Sequence, residues 1–118
     1  MDFKIVYYKN RQGKCPVEVF LLKLGTTNKL LQAQTFKALE KIRFNEYQKE
    51  PLSKHLESGL WELRVRSKSD ILRIIYTFNK GQIIILLHGF IKKQQKTPKE
   101  VLEIARKRLK EIKLREVN

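Results

Sequence analysis

The stretch from Leu60 to Phe78 reads LWELRVRSKSDILRIIYTF and decides the fold, because it predicts a β-hairpin. Apolar and charged residues alternate in its first half, which is the period-two pattern of a strand with one buried face. Residues 67–70 form a polar turn signal, and a β-branched and aromatic run follows. With either a two-residue or a four-residue loop, Arg64 lies directly opposite Arg73 on one face of the hairpin.

These facing arginines are the first indication of function. Like charges that oppose each other across a strand pair destabilise it, so an anion is expected between them. Phosphate fits this place, because each guanidinium offers a planar, permanently charged fork of donors. A solvated sheet face is the other interpretation, and it stays open for Arg64, Arg66 and Arg73. Glu62 shares this face and is expected to neutralise part of its charge.

The composition predicts one basic domain. The 118 residues (1–118) are enough for a single core without disulfides or metals. Lysine and arginine number 26 against 12 aspartate and glutamate, which gives a net charge of +14. Such a charge favours nucleic acid, an acidic protein or an anionic membrane surface as partner, without choosing among them.

The cysteine and histidine content argues against several classes of site. Cys15 is the only cysteine, so no internal disulfide or thiolate metal cluster can form. The two histidines are far apart in the sequence, and we expect no metal site and no cofactor. No signal peptide is recognisable, and the longest apolar run, Ile83–Leu87, is too short to span a bilayer. We therefore expect a cytoplasmic protein without a membrane partner.

The rest of the chain predicts an α+β domain. The expected elements are a strand over 3–8, a helix from Pro16 to Gly25, a helix to about Asn45, a polar loop over 46–59, the hairpin, a strand over 83–90, a basic loop over 92–96 and a helix from Thr97-Pro98. This is an N-terminal strand, a helical hairpin, a three-stranded antiparallel meander that completes the sheet, and a C-terminal helix.

Three motifs carry a resemblance to a known family. They are Glu50-Pro51-Leu52-Ser53-Lys54-His55-Leu56 followed by Gly59-Leu60-Trp61-Glu62-Leu63-Arg64-Val65-Arg66, then Arg73-Ile74-Ile75-Tyr76, and last His88-Gly89-Phe90-Ile91-Lys92-Lys93 with Thr97-Pro98. In this order and spacing, the sequence resembles the RelE/ParE superfamily over almost its whole length. It looks most like the HigB-like, phage-derived toxins of type II toxin–antitoxin systems, which implies a RelE-like fold.

The resemblance implies a ribosome-dependent mRNA endoribonuclease, or mRNA interferase, that inhibits translation. It would cut message in the A site of the 30S subunit by metal-independent attack of the 2′-hydroxyl. A helix-turn-helix antitoxin, HigA-like, would neutralise it. Two alternatives stay open: a ParE-like, non-catalytic toxin that inhibits DNA gyrase, and a non-toxic RNA- or ribosome-binding module.

Candidate site residues follow in part from the resemblance. By position, Arg64 and Arg73 match basic strand positions, Lys93 a basic residue after the last core strand, and Glu50 a glutamate proposed as general base. His55 is a further catalytic candidate, from a loop that could close over the sheet. No tyrosine or histidine follows the last strand directly, so the general acid stays unassigned. Further candidates for contacts with RNA phosphates are Arg66, Lys54, Lys92 and Lys96.

Three other conspicuous residues are expected to have structural roles. His88 interrupts a core strand and is interpreted as a satisfied, buried histidine. Trp61 and Tyr76 could stack on a base. Their alternation with polar residues favours packing in the core instead.

Overall fold

The protein forms a five-stranded mixed sheet with helices on both faces. The computed structural model describes residues 2–68, 70–92 and 96–117, without the side chain of Val117. Its elements are β1 (Lys4–Tyr7), α1 (Pro16–Leu24), α2 (Lys29–Ile42), β2 (Ser53–Glu57), β3 (Leu60–Ser67), β4 (Asp70–Asn79), β5 (Ile83–Lys92) and α3 (Lys99–Val117). The strand order is β1-β5-β4-β3-β2, with β1 parallel to β5 and the other pairs antiparallel. This arrangement confirms the predicted α+β, RelE-like fold.

The β3–β4 hairpin has the register that its sequence predicts. Arg64 pairs with Arg73, and Ser67 pairs with Asp70 across the turn. The alternation of apolar and charged residues therefore places the two arginines on one face of the sheet, as expected.

The prediction of a polar loop over residues 46–59 was wrong. A short 3₁₀ turn occupies Asn45–Tyr47, and β2 then pairs antiparallel with β3. The missed signal is Ser58-Gly59, a two-residue hairpin turn in which Gly59 has a φ of +82°. Because β2 has little apolar alternation of its own, its pairing with β3 is what makes it a strand.

Three element boundaries also differ from the prediction. Helix α2 ends at Ile42, and α3 begins at Lys99. Strand β5 continues to Lys92, which pairs with Ile71 of the long neighbouring strand. Lys92 is therefore held by the sheet and does not lie in a loop.

The two sheet faces are buried by different helices. Helices α1 and α2 cover one face, where Leu21 and Leu31 pack with Leu63. Helix α3 covers the other, where Ala105 packs with Leu60 and other sheet residues. Tyr76 is fully buried and Trp61 packs against the first cluster, so the predicted core roles of both residues are confirmed.

Side-chain alternation then assigns the charged residues to a face. Leu60 belongs to the cluster beneath α3, so Glu62, Arg64 and Arg66 point to the same face. Arg73 joins them through its pairing with Arg64. In the part of the chain that the structure describes, no helix has the length and apolar character that a membrane span requires.

Candidate functional site

The candidate site is a group of cations around one buried carboxylate, on the face of β3 and β4 that α3 covers. The Glu62 side chain is fully buried, and Arg73 donates a hydrogen bond from Nη1 to its Oε1. Arg64 Nε lies 3.6 Å from the same oxygen. The Thr97 hydroxyl donates a 2.8 Å hydrogen bond to Glu62 Oε2 and thus ties the start of α3 to the carboxylate.

The facing arginines are therefore bridged by Glu62. The expectation that Glu62 neutralises part of this charge is confirmed, and the interpretation of Arg73 as a solvated residue fails, because it is only 7% exposed. The Nε atoms of Arg64 and Arg73 are buried without a hydrogen-bond partner among the described residues. One carboxylate thus leaves both guanidinium groups incompletely satisfied.

Lys92 brings a further cation to this group. Partial burial lowers the pKa of Lys92, and repulsion from Arg73 lowers it further. Arg64 and Arg66 act in the same direction, whereas Glu62 opposes them. Arg64, Arg66, Arg73 and Lys92 therefore form a cation group, of which Arg64 and Arg73 contact the buried Glu62, and the excess positive charge makes the site attractive to an anion.

The other predicted site residues are divided between the two faces of the sheet. Glu50 is exposed, and its Oε1 accepts a 3.3 Å hydrogen bond from Arg64 Nη1. Lys54 pairs with Glu62 across β2 and β3, so it lies on the face of the cation group. His55 pairs with Trp61 and contacts its ring, with centroids 4.8 Å apart, on the opposite face. The structure does not bring His55 to the cations.

Two candidates lie in the segment that follows β5. Lys96 is exposed and directly precedes Thr97. Lys93 lies outside the described residues.

His88 has a structural environment, as expected. Its Nδ1 lies 3.3 Å from Arg108 Nη1, which also donates a 2.7 Å hydrogen bond to the carbonyl of Leu87. Burial lowers the pKa of His88 to about 4, and the Arg108 charge contributes to this. The ring is therefore neutral near pH 7.

This low pKa predicts a pH-dependent stability. The unfolded chain binds a proton at His88 near pH 6.5 and the folded chain only near pH 4, so acidification through this window favours unfolding. Between pH 7 and pH 5, we expect about 2 kcal/mol of unfolding free energy to be lost through this group. His88→Gln keeps an acceptor for Arg108 and should remove that loss in urea titrations. His55→Gln is the control, and equal pH dependence in both variants would contradict the assignment.

A groove beside the cation group contains residues that the sequence interpretation missed. It has a volume of about 560 Å³ and adjoins Arg64 and Arg73. Lys41 of α2 and Tyr47 of the 3₁₀ turn line it, together with Pro51, Leu52, Val65 and Arg66. Nothing local in the sequence marks Lys41 or Tyr47, because only the packing of α2 beside β3 brings them to the site.

The cation group is suited to a phosphodiester. Guanidinium and ammonium groups held by a sheet can be aimed at charge that develops on phosphate oxygens, and such preorganised charge is usually the largest contribution to catalysis. Arg64 and Arg66 are the guanidinium groups that solvent reaches, whereas Arg73 is held under Glu62. Lys92 is the member whose lowered pKa makes it the readiest proton donor.

Comparison with known proteins places the chain in a family. No curated protein matches it. Residues 23–110, which include the hairpin and most of α3, match the family model described as phage-derived protein Gp49-like (DUF891). The chain belongs to this Gp49-like family, which is a family of RelE/HigB-like toxins.

Proposed function

We propose that this protein is a type II toxin that cuts mRNA on the ribosome, in the cytoplasm, as an mRNA interferase. Membership of the Gp49-like family is compatible with a toxin–antitoxin toxin and suggests an antitoxin partner. The observation that carries the nuclease proposal is the cation group of Arg64, Arg66, Arg73 and Lys92 beside the buried Glu62, open to solvent at Arg64 and Arg66. A toxin that acts only by binding gyrase does not require this arrangement.

The proposed reaction is an internal transesterification. The 2′-oxygen attacks the adjacent phosphorus, the bond from phosphorus to the 5′-oxygen breaks, and the products are a 2′,3′-cyclic phosphate and a 5′-hydroxyl. Glu50, exposed beside Arg64, would accept the 2′-proton. Lys92, whose pKa is lowered, would give a proton to the leaving 5′-oxygen and thus serve as the general acid.

The three guanidinium groups have two different proposed roles, phosphate binding and positioning. Arg64 and Arg66 would bind the non-bridging oxygens, on which negative charge increases in the phosphorane. Arg73 is a positioning residue, because its hydrogen bond holds Glu62 and its charge lowers the pKa of Lys92. Lys54 and Lys96, both exposed, would contact neighbouring phosphates of the message or the ribosome.

The proposed partners are those of the HigB-like toxins. A helix-turn-helix antitoxin, encoded by a short neighbouring reading frame, would neutralise the protein. The message would be cut in the A site of the 30S subunit.

Induced expression tests this proposal in cells. We expect growth to stop and translated messages to carry new 5′ ends, and Arg64→Ala to relieve both effects. Arg11→Ala, which removes an exposed arginine in the turn after β1, is the matched control and should stay toxic. A DNA-damage response with intact message would favour gyrase inhibition instead. Normal growth with intact message would favour the non-toxic RNA-binding module.

A further inference from the structure

We propose that the groove beside β3 binds one nucleotide of single-stranded RNA, next to the phosphate at Arg64. The groove would take the base on its apolar floor and the following phosphate on its cationic rim. This inference rests on the proposed function for its substrate class, RNA. It adds a subsite whose binding residues, Tyr47 of the 3₁₀ turn and Lys41 of α2, lie on elements that the proposed reaction does not use.

The groove exists because β2 is shorter than its neighbour. The β2–β3 register ends at the pair Ser53 and Leu63, and the Arg64 amide then donates a 2.8 Å hydrogen bond to the Leu52 carbonyl. Beyond this point, residues 65–67 of β3 have no strand partner on that side in the described part of the chain. The open edge leaves room between β3 and α2.

The groove combines an apolar floor with a cationic rim. Pro51, Leu52 and Val65 provide apolar surface. Lys41, Arg64 and Arg66 surround it, and among the described residues no carboxylate lines it. A second depression of about 240 Å³ shares Lys41 and Arg66 and adds Lys37, which extends the positive rim along α2.

Tyr47 gives the groove its preference for a base. Its side chain is 39% exposed, which is high for a large aromatic residue, and Lys41 Nζ lies 5.8 Å from its ring centroid. Exposed aromatic rings beside basic grooves are the usual stacking platforms for single-stranded nucleic acid. An acidic peptide would use the cations, but it has no comparable use for the aromatic ring.

The groove is continuous with the cation group. Arg64 and Arg73 line the groove, and both also contact Glu62. A phosphate held by Arg64 therefore has its neighbouring nucleotide at the entrance of the groove. One RNA strand can pass from β3 towards α2 without leaving positive surface.

Binding to two uncleavable probes tests the subsite. One is a fluorescein-labelled 2′-O-methyl hexauridylate, and the other is an abasic hexamer with the same number of phosphates. Stacking contributes a factor of about 5 to 150 per base, so Tyr47→Leu should weaken hexauridylate binding by such a factor and leave the abasic probe unchanged. Tyr47→Phe should restore the affinity. Phe36→Leu, which removes an exposed aromatic side chain of α2 outside the groove, should affect neither probe.

Substitution of Lys41 should change probe binding in a different way from substitution of Tyr47. Lys41→Ala should weaken both probes and reduce the slope of log affinity against log salt by about 0.7, the contribution of one phosphate contact on a single strand. Lys113→Ala, which removes an exposed lysine of α3 on the other side of the sheet, should leave that slope nearly unchanged.

Several outcomes would overturn the subsite. Equal effects of Tyr47→Leu and Phe36→Leu would do so, as would an equal loss on the abasic probe. If Tyr47→Leu weakened binding of a hexaglutamate peptide but not of RNA, the groove would be a site for an acidic polypeptide. If the protein cuts message but Tyr47→Leu binds both probes as Phe36→Leu does, the proposed nuclease activity is supported and the proposed subsite is not. Base-dependent binding by a protein that leaves message intact would support the subsite and contradict the nuclease.

Discussion

Glu62→Leu is expected to lower the free energy of unfolding by about 3–5 kcal/mol, the largest effect on stability that we predict for one side chain. The reason is the environment of Arg73, which is only 7% exposed and donates to Glu62 Oε1. Without the carboxylate, the buried Arg73 charge has no counter-charge among the residues that the structure describes, and neighbouring cations add repulsion. Arg73→Leu should also be destabilising, because it leaves the buried carboxylate with only the Thr97 hydrogen bond and the 3.6 Å contact of Arg64 Nε among its described partners.

The double variant separates this explanation from ordinary loss of packing. Glu62→Leu combined with Arg73→Leu should recover most of the stability, because neither buried charge remains. Urea midpoints at pH 7 measure all three variants, with the denaturant slope checked for constancy. Glu57→Leu is the control for loss of a carboxylate that is paired with arginine at the surface, and it should cost less than about 1 kcal/mol. Additive losses in the double variant would contradict the proposed coupling.

Arg64→Ala is expected to lower the rate of mRNA cleavage by about 10²–10³-fold, since it removes one preorganised donor from the charge that develops on phosphate. Its effect on stability should be small, because its contacts with Glu50 and Glu62 are long, at 3.3 and 3.6 Å. Single-turnover cleavage in a reconstituted translation system measures the rate. A loss of activity that parallels a loss of folded protein would contradict a role in the reaction.

Lys92→Arg tests whether the ammonium gives up a proton as well as supplying charge. Arginine keeps the positive charge but does not deprotonate in the accessible pH range, so we expect the rate to fall by about 10²-fold with RNA affinity preserved. In the wild-type protein, a general acid whose pKa is lowered should make the rate decline at alkaline pH, before the ordinary lysine range. That decline should be absent in Lys92→Arg. Full activity of Lys92→Arg would mean that Lys92 only contacts phosphate and does not donate a proton.

Local sequence was sufficient for the hairpin and for the order of the helices and strands other than β2. The alternation around Arg64 and the short turn at 67–70 determine which residues face each other, because both act within a few residues along the chain. The helices follow in the same way from apolar spacing and from end signals such as Pro16 and Gly25. Strand β2 was missed, since its Ser58-Gly59 turn signal stood beside a segment with little alternation.

Strand alternation along the chain is enough to show that two arginines face each other on a basic domain and that Glu62 shares their face. Tertiary structure decided what surrounds them. It placed the Thr97 hydroxyl on Glu62, brought Lys92 into the cation group, separated His55 onto the opposite face, and carried Lys41 and Tyr47 to the groove. The physical reason is the distance along the chain over which each effect acts. Periodicity and turn preferences depend on residues that are neighbours in sequence. The burial and the electrostatic environment of a side chain depend on distant segments that only packing brings together.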